Sequence, residues 1–128
     1  MPCQSAGADG YPVWKRFQIV RGDTFAFSTR VCFSGVPEML DDSGRVTLAL
    51  TSDKGAQNLY RFTSEDQDEN GYVSISLLPE ETAALSVGRY NFEVEFYFSD
   101  ELVVTALVGV IDVLEDTITE EVRNNGGN

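Results

Sequence analysis

The sequence predicts an all-β domain, an immunoglobulin-like Greek-key β-sandwich of about seven strands with one short helical turn near residues 79–85. Three observations favour this fold class. Turn residues recur about every ten to twelve positions, the segments between them alternate apolar and polar side chains, and no long amphipathic helix is present. Short strands at this spacing are typical of sandwiches and barrels.

The composition is that of one folded domain. A chain of 128 residues, 42% of them hydrophobic, can form a core without help from disulfides or metal ions. At this size roughly two-thirds of the surface of the unfolded chain becomes buried. We expect a flexible N-terminal lead at residues 1–11, the β-sandwich at 12–117 and a disordered tail at 118–128.

The strands are placed by period-two alternation. They are predicted at Val13–Val20, Thr24–Phe33, Arg45–Ser52, Leu59–Thr63, Tyr72–Leu78, Arg89–Phe98 and Leu102–Leu114. Arg89–Phe98 has the cleanest pattern, with aromatic and aliphatic side chains on one face and mostly polar ones on the other. The helical turn begins at Pro79, a residue suited to a first helical position, and the glutamates that follow suit an N-terminal turn.

The last predicted strand, Leu102–Leu114, is apolar on both faces. A three-residue turn after Phe98 would bury the face that contains Val104, and a turn of two or four residues would bury the other. Either register leaves an apolar row outside, to be covered by the N-terminal strand, by loops or by another subunit. The predicted partner interface consists of Glu93, Glu95, Tyr97, Val103 and Leu107.

The charge is strongly acidic and unevenly distributed. The net charge is −12, with +1 in residues 1–62 and −13 in residues 63–128. Such a surface repels phosphate backbones and anionic lipids, so nucleic acid and membranes are not predicted partners. No apolar stretch reaches the length of a membrane span, and the N-terminus lacks the basic and apolar regions of a signal peptide. We therefore expect a protein that works without export.

The residue types argue against catalysis. The chain contains no histidine, which excludes Ser-His-Asp, Cys-His and histidine-bearing metal sites. Carboxylate pairs such as Glu93 and Glu95 lie on an exposed strand, whereas a glycosidase pair needs a cleft. The sequence therefore predicts no enzyme, no catalytic residue, no cofactor and no obvious small-molecule substrate.

One acidic segment resembles part of a calcium loop. Residues 66–71 match the opening of that motif, with Asp66, Asp68 and Asn70 as candidate ligands. The helix-loop-helix form closes with a bidentate glutamate at its twelfth position, and Leu77 occupies that position here. An acidic hairpin loop is the preferred interpretation, and no metal site is assigned.

Two further motifs have structural interpretations. The tripeptide Arg21–Asp23 spells an integrin-binding motif, but glycine followed by aspartate also makes a turn between two strands. The spacing of Leu85, Gly88 and Tyr90 resembles that of a tyrosine corner, in which the tyrosine hydroxyl bonds to nearby backbone, and the alternative is that Tyr90 is simply a core residue. Neither motif adds chemistry to the domain.

The two cysteines, Cys3 and Cys32, match no zinc pattern and are too few for a disulfide framework. Free thiols are the expected state. A disulfide bond between Cys3 and Cys32 is the alternative, because a flexible N-terminal arm could reach the strand.

Several short runs along the chain form a recognisable series: Gly22-Asp23-Thr24, Leu78, Glu80-Glu81-Thr82, Ala83-Ala84, Gly88-Arg89-Tyr90 and Gly109 through Val113. With this series the chain resembles small immunoglobulin-like domains of tailed-phage and prophage virion proteins, of which the N-terminal domain of baseplate upper proteins is the nearest type. The resemblance covers most of residues 17–117. It implies an accessory or adaptor of a symmetric particle.

The first functional hypothesis is therefore a non-enzymatic virion structural or assembly domain of the tail, baseplate or neck. Its partner would be another copy or a neighbouring virion protein, and it would be found in the virion, assembled in the bacterial host cytoplasm. The alternative hypothesis is a ligand-binding β-sandwich module for carbohydrate or calcium.

Overall fold

A computed structural model describes residues 12–52 and 55–117, which are mostly β-strand with one short helix. The strands are β1 Val13–Val20, β2 Phe25–Thr29, β3 Cys32–Phe33, β4 Val36–Pro37, β5 Arg45–Ser52, β6 Gly55–Thr63, β7 Val73–Leu77, β8 Gly88–Ser99 and β9 Leu102–Leu114, and the helix is α1 Pro79–Ala83. Among these residues no helix has the length and apolar character needed to cross a membrane. The predicted lead at 1–11 and tail at 118–128 lie outside the described residues.

The described strands form one five-stranded sheet and two small ones. The large sheet has the order β1-β9-β8-β5-β6, and β1 with β9 is its parallel pair. β2 pairs with β7, and β3 with β4, both antiparallel. β1 and β2 are consecutive in the chain yet join different sheets. Side chains of the large sheet and of β7 share one hydrophobic core, in which Phe96 and Ile75 are fully buried.

The alternation predicted for β8 is confirmed. Phe92, Val94, Phe96 and Phe98 are each at most 5% exposed, and the residues between them are exposed or half-buried. Burial of one such aromatic side chain contributes about 1.5–3 kcal/mol. β8 lies between β9 and β5, so its apolar face is at the centre of the core.

The β8–β9 hairpin contains a bulge beside its turn. A two-residue turn joins Ser99 to its partner Leu102, and between Tyr97 and Ser99 β8 has one residue, Phe98, without a partner in β9. An extra residue in one strand shifts the phase of the pairing by one position. The shift puts Val104 in the core, 5% exposed.

A second bulge lies in the middle of β9. Val94 pairs with Leu107 and Glu95 with Thr105, so Ala106 is the extra residue. The side chains that enter the core therefore change phase along β9. Each of the two registers expected for this strand holds for only one part of it. The buried apolar residues of β9 are Val104 before the bulge, Ala106 within it, and Leu107, Ile111 and Val113 after it.

This phase change can be tested with two neighbouring side chains. Replacing Leu107 by alanine removes a side chain that is 4% exposed, and we expect a loss of about 2–5 kcal/mol in the free energy of unfolding. Replacing Val108 by alanine should lower the free energy of unfolding clearly less, because Val108 is half-buried on the other side of the sheet. Urea denaturation of both variants measures the difference. Equal losses would contradict the bulge at Ala106.

Gly109 allows β1 to lie against β9. It pairs with Lys15, and a Cβ atom at Gly109 would collide with the backbone carbonyl oxygen of that residue. Any larger residue would therefore have to displace the β1 backbone. The parallel β1–β9 pair thus depends on the absence of a side chain at this one position.

We expect Gly109→Ala to loosen β1. Overpacking typically costs about 1–3 kcal/mol, and here the obstacle is backbone, which cannot rotate away. Hydrogen exchange of the β1 amides should accelerate more than exchange in β5, which is not paired with β1. Thr105→Ala, a half-buried position on the same strand, is the control. Unchanged β1 protection in Gly109→Ala would refute the role of this glycine.

The predicted strand Thr24–Phe33 is wrong in its second half. The structure divides it into β2 and the short β3, because Val31 and Cys32 are consecutive and both buried, at 0% and 1% exposure. A regular strand turns consecutive side chains to opposite faces, so the alternation is broken there. The Val31 carbonyl instead accepts a hydrogen bond from the Glu38 amide.

The expectation of a free thiol at Cys32 is also wrong. Cys32 is disulfide-bonded. The one other cysteine of the sequence, Cys3, lies outside the described residues.

Candidate functional site

The outer face, meaning the side of the five-stranded sheet opposite the core, carries the candidate site. Strand register places Trp14 beside Val108, Val108 beside Glu93, and Glu93 beside Ala49. This row crosses four strands. The next row along the strands contains Arg16, Val110, Asn91 and Thr51.

An apolar patch lies on one half of the outer face. Trp14 is 60% exposed, and Val108 and Val110 beside it are half-buried. These three residues are called the outer patch. Val108 and Val110 face outward because they follow the bulge at Ala106, which turned Leu107 inward.

A shallow depression of about 400 Å³ adjoins the outer patch. Trp14 and Val108 form its apolar side, while Thr51, Asn91 and Glu93 contribute polar groups. Its lining is completed by Phe92 and Gly109. The depression is therefore built from four different strands and depends on the parallel docking of β1.

The predicted interface residues divide into two groups. Glu93, Glu95, Tyr97 and Val103 lie on the outer face, and Val103 is 47% exposed. Leu107 is 4% exposed and packs in the core. Its assignment to the surface is wrong, because the bulge reverses the phase of β9 just before it.

Tyr97 is held in place by two neighbours. The guanidinium of Arg45 lies 3.9 Å from the centre of its ring. Its hydroxyl donates a hydrogen bond to the carboxylate of Asp100. Such a cation–π contact contributes about 0.5–1 kcal/mol at an exposed site. Tyr97 thus forms a rigid edge of the outer face next to Val103.

The opposite end of the outer face contains an ion cluster around Asp112. Arg89 donates to one carboxylate oxygen of Asp112 at 2.7 Å, and Arg16 donates to the other at 3.2 Å. The hydrogen bond from Arg89 is the main reason why the pKa of Asp112 is lowered, and it also raises the pKa of Arg89. The cluster joins β1, β8 and β9 on their exposed side.

This cluster predicts a pH-dependent contribution to stability. Because the pKa of Asp112 is lower when folded than when unfolded, the carboxylate stabilises the fold above its unfolded pKa of about 3.9. The stabilisation is lost as the pH falls through the folded pKa. Asp112→Asn should therefore melt below wild type at pH 7, and the gap should close in acid. Asp42→Asn, an exposed carboxyl, is the control. A gap independent of pH would contradict this role.

The acidic segment considered for calcium is an internally bonded loop. The Asp66 carboxylate accepts the Thr63 amide, and the Asp68 carboxylate accepts the amides of Asn70 and Tyr72. The backbone carbonyl of Asn70 accepts a hydrogen bond from Arg30. Within the described ranges, no three acidic or cysteine side chains cluster in a way that could hold a metal ion.

The two structural motifs are each tied to backbone. In the turn at Arg21–Asp23, the fully buried hydroxyl of Thr82 accepts the Gly22 amide and donates to the Asp23 carbonyl. These contacts fix the turn against α1 and support its structural interpretation. The Tyr90 hydroxyl donates to the carbonyl of Ser86 at 2.9 Å, which confirms the predicted tyrosine corner.

Trp14 is the functional candidate that sequence reasoning missed. It shares the phase of Arg16 and Gln18 in β1, and an aromatic residue in a polar row is a signal of exposure. That signal is visible in the sequence. Its neighbours on β9, more than ninety positions away, are not.

Comparisons with known proteins find a likeness among solved structures and none among family models or curated proteins. A scan against protein-family models finds no match, and a search of curated proteins finds no matching relative. Among solved structures, the chain is similar to the N-terminal domain of phage TP901-1 ORF48, with 12% sequence identity and a TM-score of 0.44. The match covers 80% of this chain and 86% of that one.

Proposed function

We propose that this chain is a non-enzymatic structural or assembly domain of a phage or prophage virion, and that it binds a protein through its outer face. The partner is a second copy or a neighbouring virion protein. The sequence resemblance over most of residues 17–117 supports the virion setting, with assembly in the bacterial host cytoplasm. The outer patch carries the proposal of a binding face.

The outer patch has the composition of a binding hot spot. Trp14 is the largest exposed apolar side chain among the described residues, and it adjoins two valines and a depression. Tryptophan is enriched in hot spots, and apolar patches rimmed by polar groups mark protein-binding surfaces. Here the rim includes Arg16, Glu93 and Glu95, so charged residues border the outer patch.

In this proposal the sheets pack as an immunoglobulin-like Greek-key sandwich formed by residues 12–117. The tyrosine-corner bond from Tyr90 to Ser86 supports it, as does the separation of consecutive β1 and β2 into different sheets. Such a sandwich places one flat sheet face toward solvent. The predicted interface residues Glu93, Glu95, Tyr97 and Val103 belong to that face.

A non-enzymatic role is supported by the ionisable groups. The chain has no histidine to act as a general base. The pKa values of the Asp41 and Asp112 carboxyl groups are both lowered, chiefly by hydrogen bonds from Ser43 and Arg89 respectively. A lowered pKa keeps a carboxylate charged, whereas a general acid needs a raised one.

Carbohydrate binding is the second candidate function. The exposed indole of Trp14 could stack on the apolar face of a sugar ring, and Thr51 and Asn91 could bond to its hydroxyls. Titration with soluble oligosaccharides, followed by the fluorescence of this single tryptophan, tests that function directly.

The virion proposal predicts an effect of charge on the outer patch. Val108→Glu should reduce incorporation of the chain into purified particles at least about tenfold, the effect of 1.4 kcal/mol, because its longer, charged side chain would disrupt the apolar contact between the outer patch and the partner. Val87→Glu makes the same change at an exposed valine outside the five-stranded sheet and should incorporate normally. Quantitative mass spectrometry of the particles gives the readout.

Each result has one meaning. Equal incorporation of the two variants would show that the outer face is not part of the interface. Absence of the wild-type chain from particles would overturn the virion role. Sedimentation velocity of the isolated chain distinguishes the partners. A concentration-dependent dimer that Val108→Glu abolishes indicates a second copy, and a monomer at all concentrations indicates a neighbouring protein.

A further inference from the structure

The depression beside Trp14 combines an aromatic ring with polar groups that are left unused. Within the described ranges, the side chains of Trp14, Thr51, Asn91 and Glu93 form no hydrogen bond or ion pair. Trp14 and Glu93 flank Val108 from the two adjacent strands. Their backbones are thus about 10 Å apart, twice the spacing between strands. An aromatic face and a free carboxylate border the same small space.

The charges on the outer face make Glu93 distinctive. Asp112, on the same face, forms ion pairs with two arginines. Glu93 is exposed and forms no ion pair with the described residues. The next outward residue on β8, Glu95, adds a second negative charge. The rest of the molecule is also acidic, with a net charge of −12.

The aromatic side chains support the same conclusion. The rings of Tyr72 and Tyr97 are each covered by an arginine of this chain, at 4.4 and 3.9 Å from the ring centre. Trp14 offers the aromatic surface that binds cations best, and it is 60% exposed. No cation of the described residues is placed over it in the way that Arg30 and Arg45 cover the tyrosines.

We propose that the depression binds a lysine or arginine side chain of the partner protein, with the cation over Trp14 and its charge paired to Glu93. This inference rests on the proposed binding face and specifies the chemistry of what it binds. Asn91 and Thr51 supply acceptors for the remaining donors of the cation. The acidic surface around the site accelerates the approach of a basic segment. A neutral sugar would leave the Glu93 charge uncompensated.

A short peptide tests this directly. Trp14 is the only tryptophan in the chain, so its fluorescence reports on this site alone. A capped tri-arginine peptide should change the emission in a saturable, salt-sensitive way. The matched tri-citrulline peptide, which has nearly the same shape without the charge, should not. Binding to Glu93→Gln should be at least about tenfold weaker. Glu101→Gln loses the same charge at the exposed hairpin turn and should bind like wild type.

The outcomes separate this inference from the proposed function. Equal responses to the two peptides, or equal losses in Glu93→Gln and Glu101→Gln, would overturn the cation site. A response to oligosaccharides but not to tri-arginine would favour the carbohydrate function. If the cation site fails while Val108→Glu still blocks incorporation into particles, the binding face stands with a partner of different chemistry.

Discussion

The extra residue at Ala106 is the constraint on which the outer face depends. A period-two strand as apolar as β9 would bury one row of valines and leucines and expose the other. With the bulge, β9 buries Val104 before it and Leu107, Ile111 and Val113 after it. Val108 is thereby turned outward, between Trp14 on one side and Glu93 on the other. The composition of the core and that of the candidate site follow from the same irregularity.

The close approach of β1 is the second part of this construction. β9 holds β1 in parallel register only because Gly109 leaves room for the Lys15 carbonyl. Trp14 would otherwise not reach the edge of the depression. Arg16, two residues further along β1, then completes the ion cluster on Asp112. In the sequence this glycine looks like an interruption of the strand, yet it determines the positions of Trp14 and Arg16.

The sequence predicts regular strands well and irregular ones poorly. β8 was predictable because its apolar residues follow a strict period of two, and the tyrosine corner because its spacing is local. The bulges at Phe98 and Ala106 were not, since both residues are apolar and neither marks a break. The strand predicted at Thr24–Phe33 was too long for a related reason. Val31 and Cys32 are both apolar, and their consecutive burial shows only when the packing is known.

The candidate site shows the same division. Glu93, Glu95 and Tyr97 could be assigned to the surface because they alternate with buried aromatic residues in β8, while Leu107 could not, because its phase is set by the bulge. No local sequence pattern shows that two acidic residues on this face, Asp112 and Glu93, differ in their ion pairing. Asp112 forms ion pairs with arginines from β1 and β8, and Glu93, beside the exposed indole, forms none with the described residues. An exposed ion pair contributes little stability, so its main effect on this face is to remove one negative charge from it. The charge that remains lies beside the aromatic ring, and there a cationic partner gains electrostatic attraction and apolar contact at a single point.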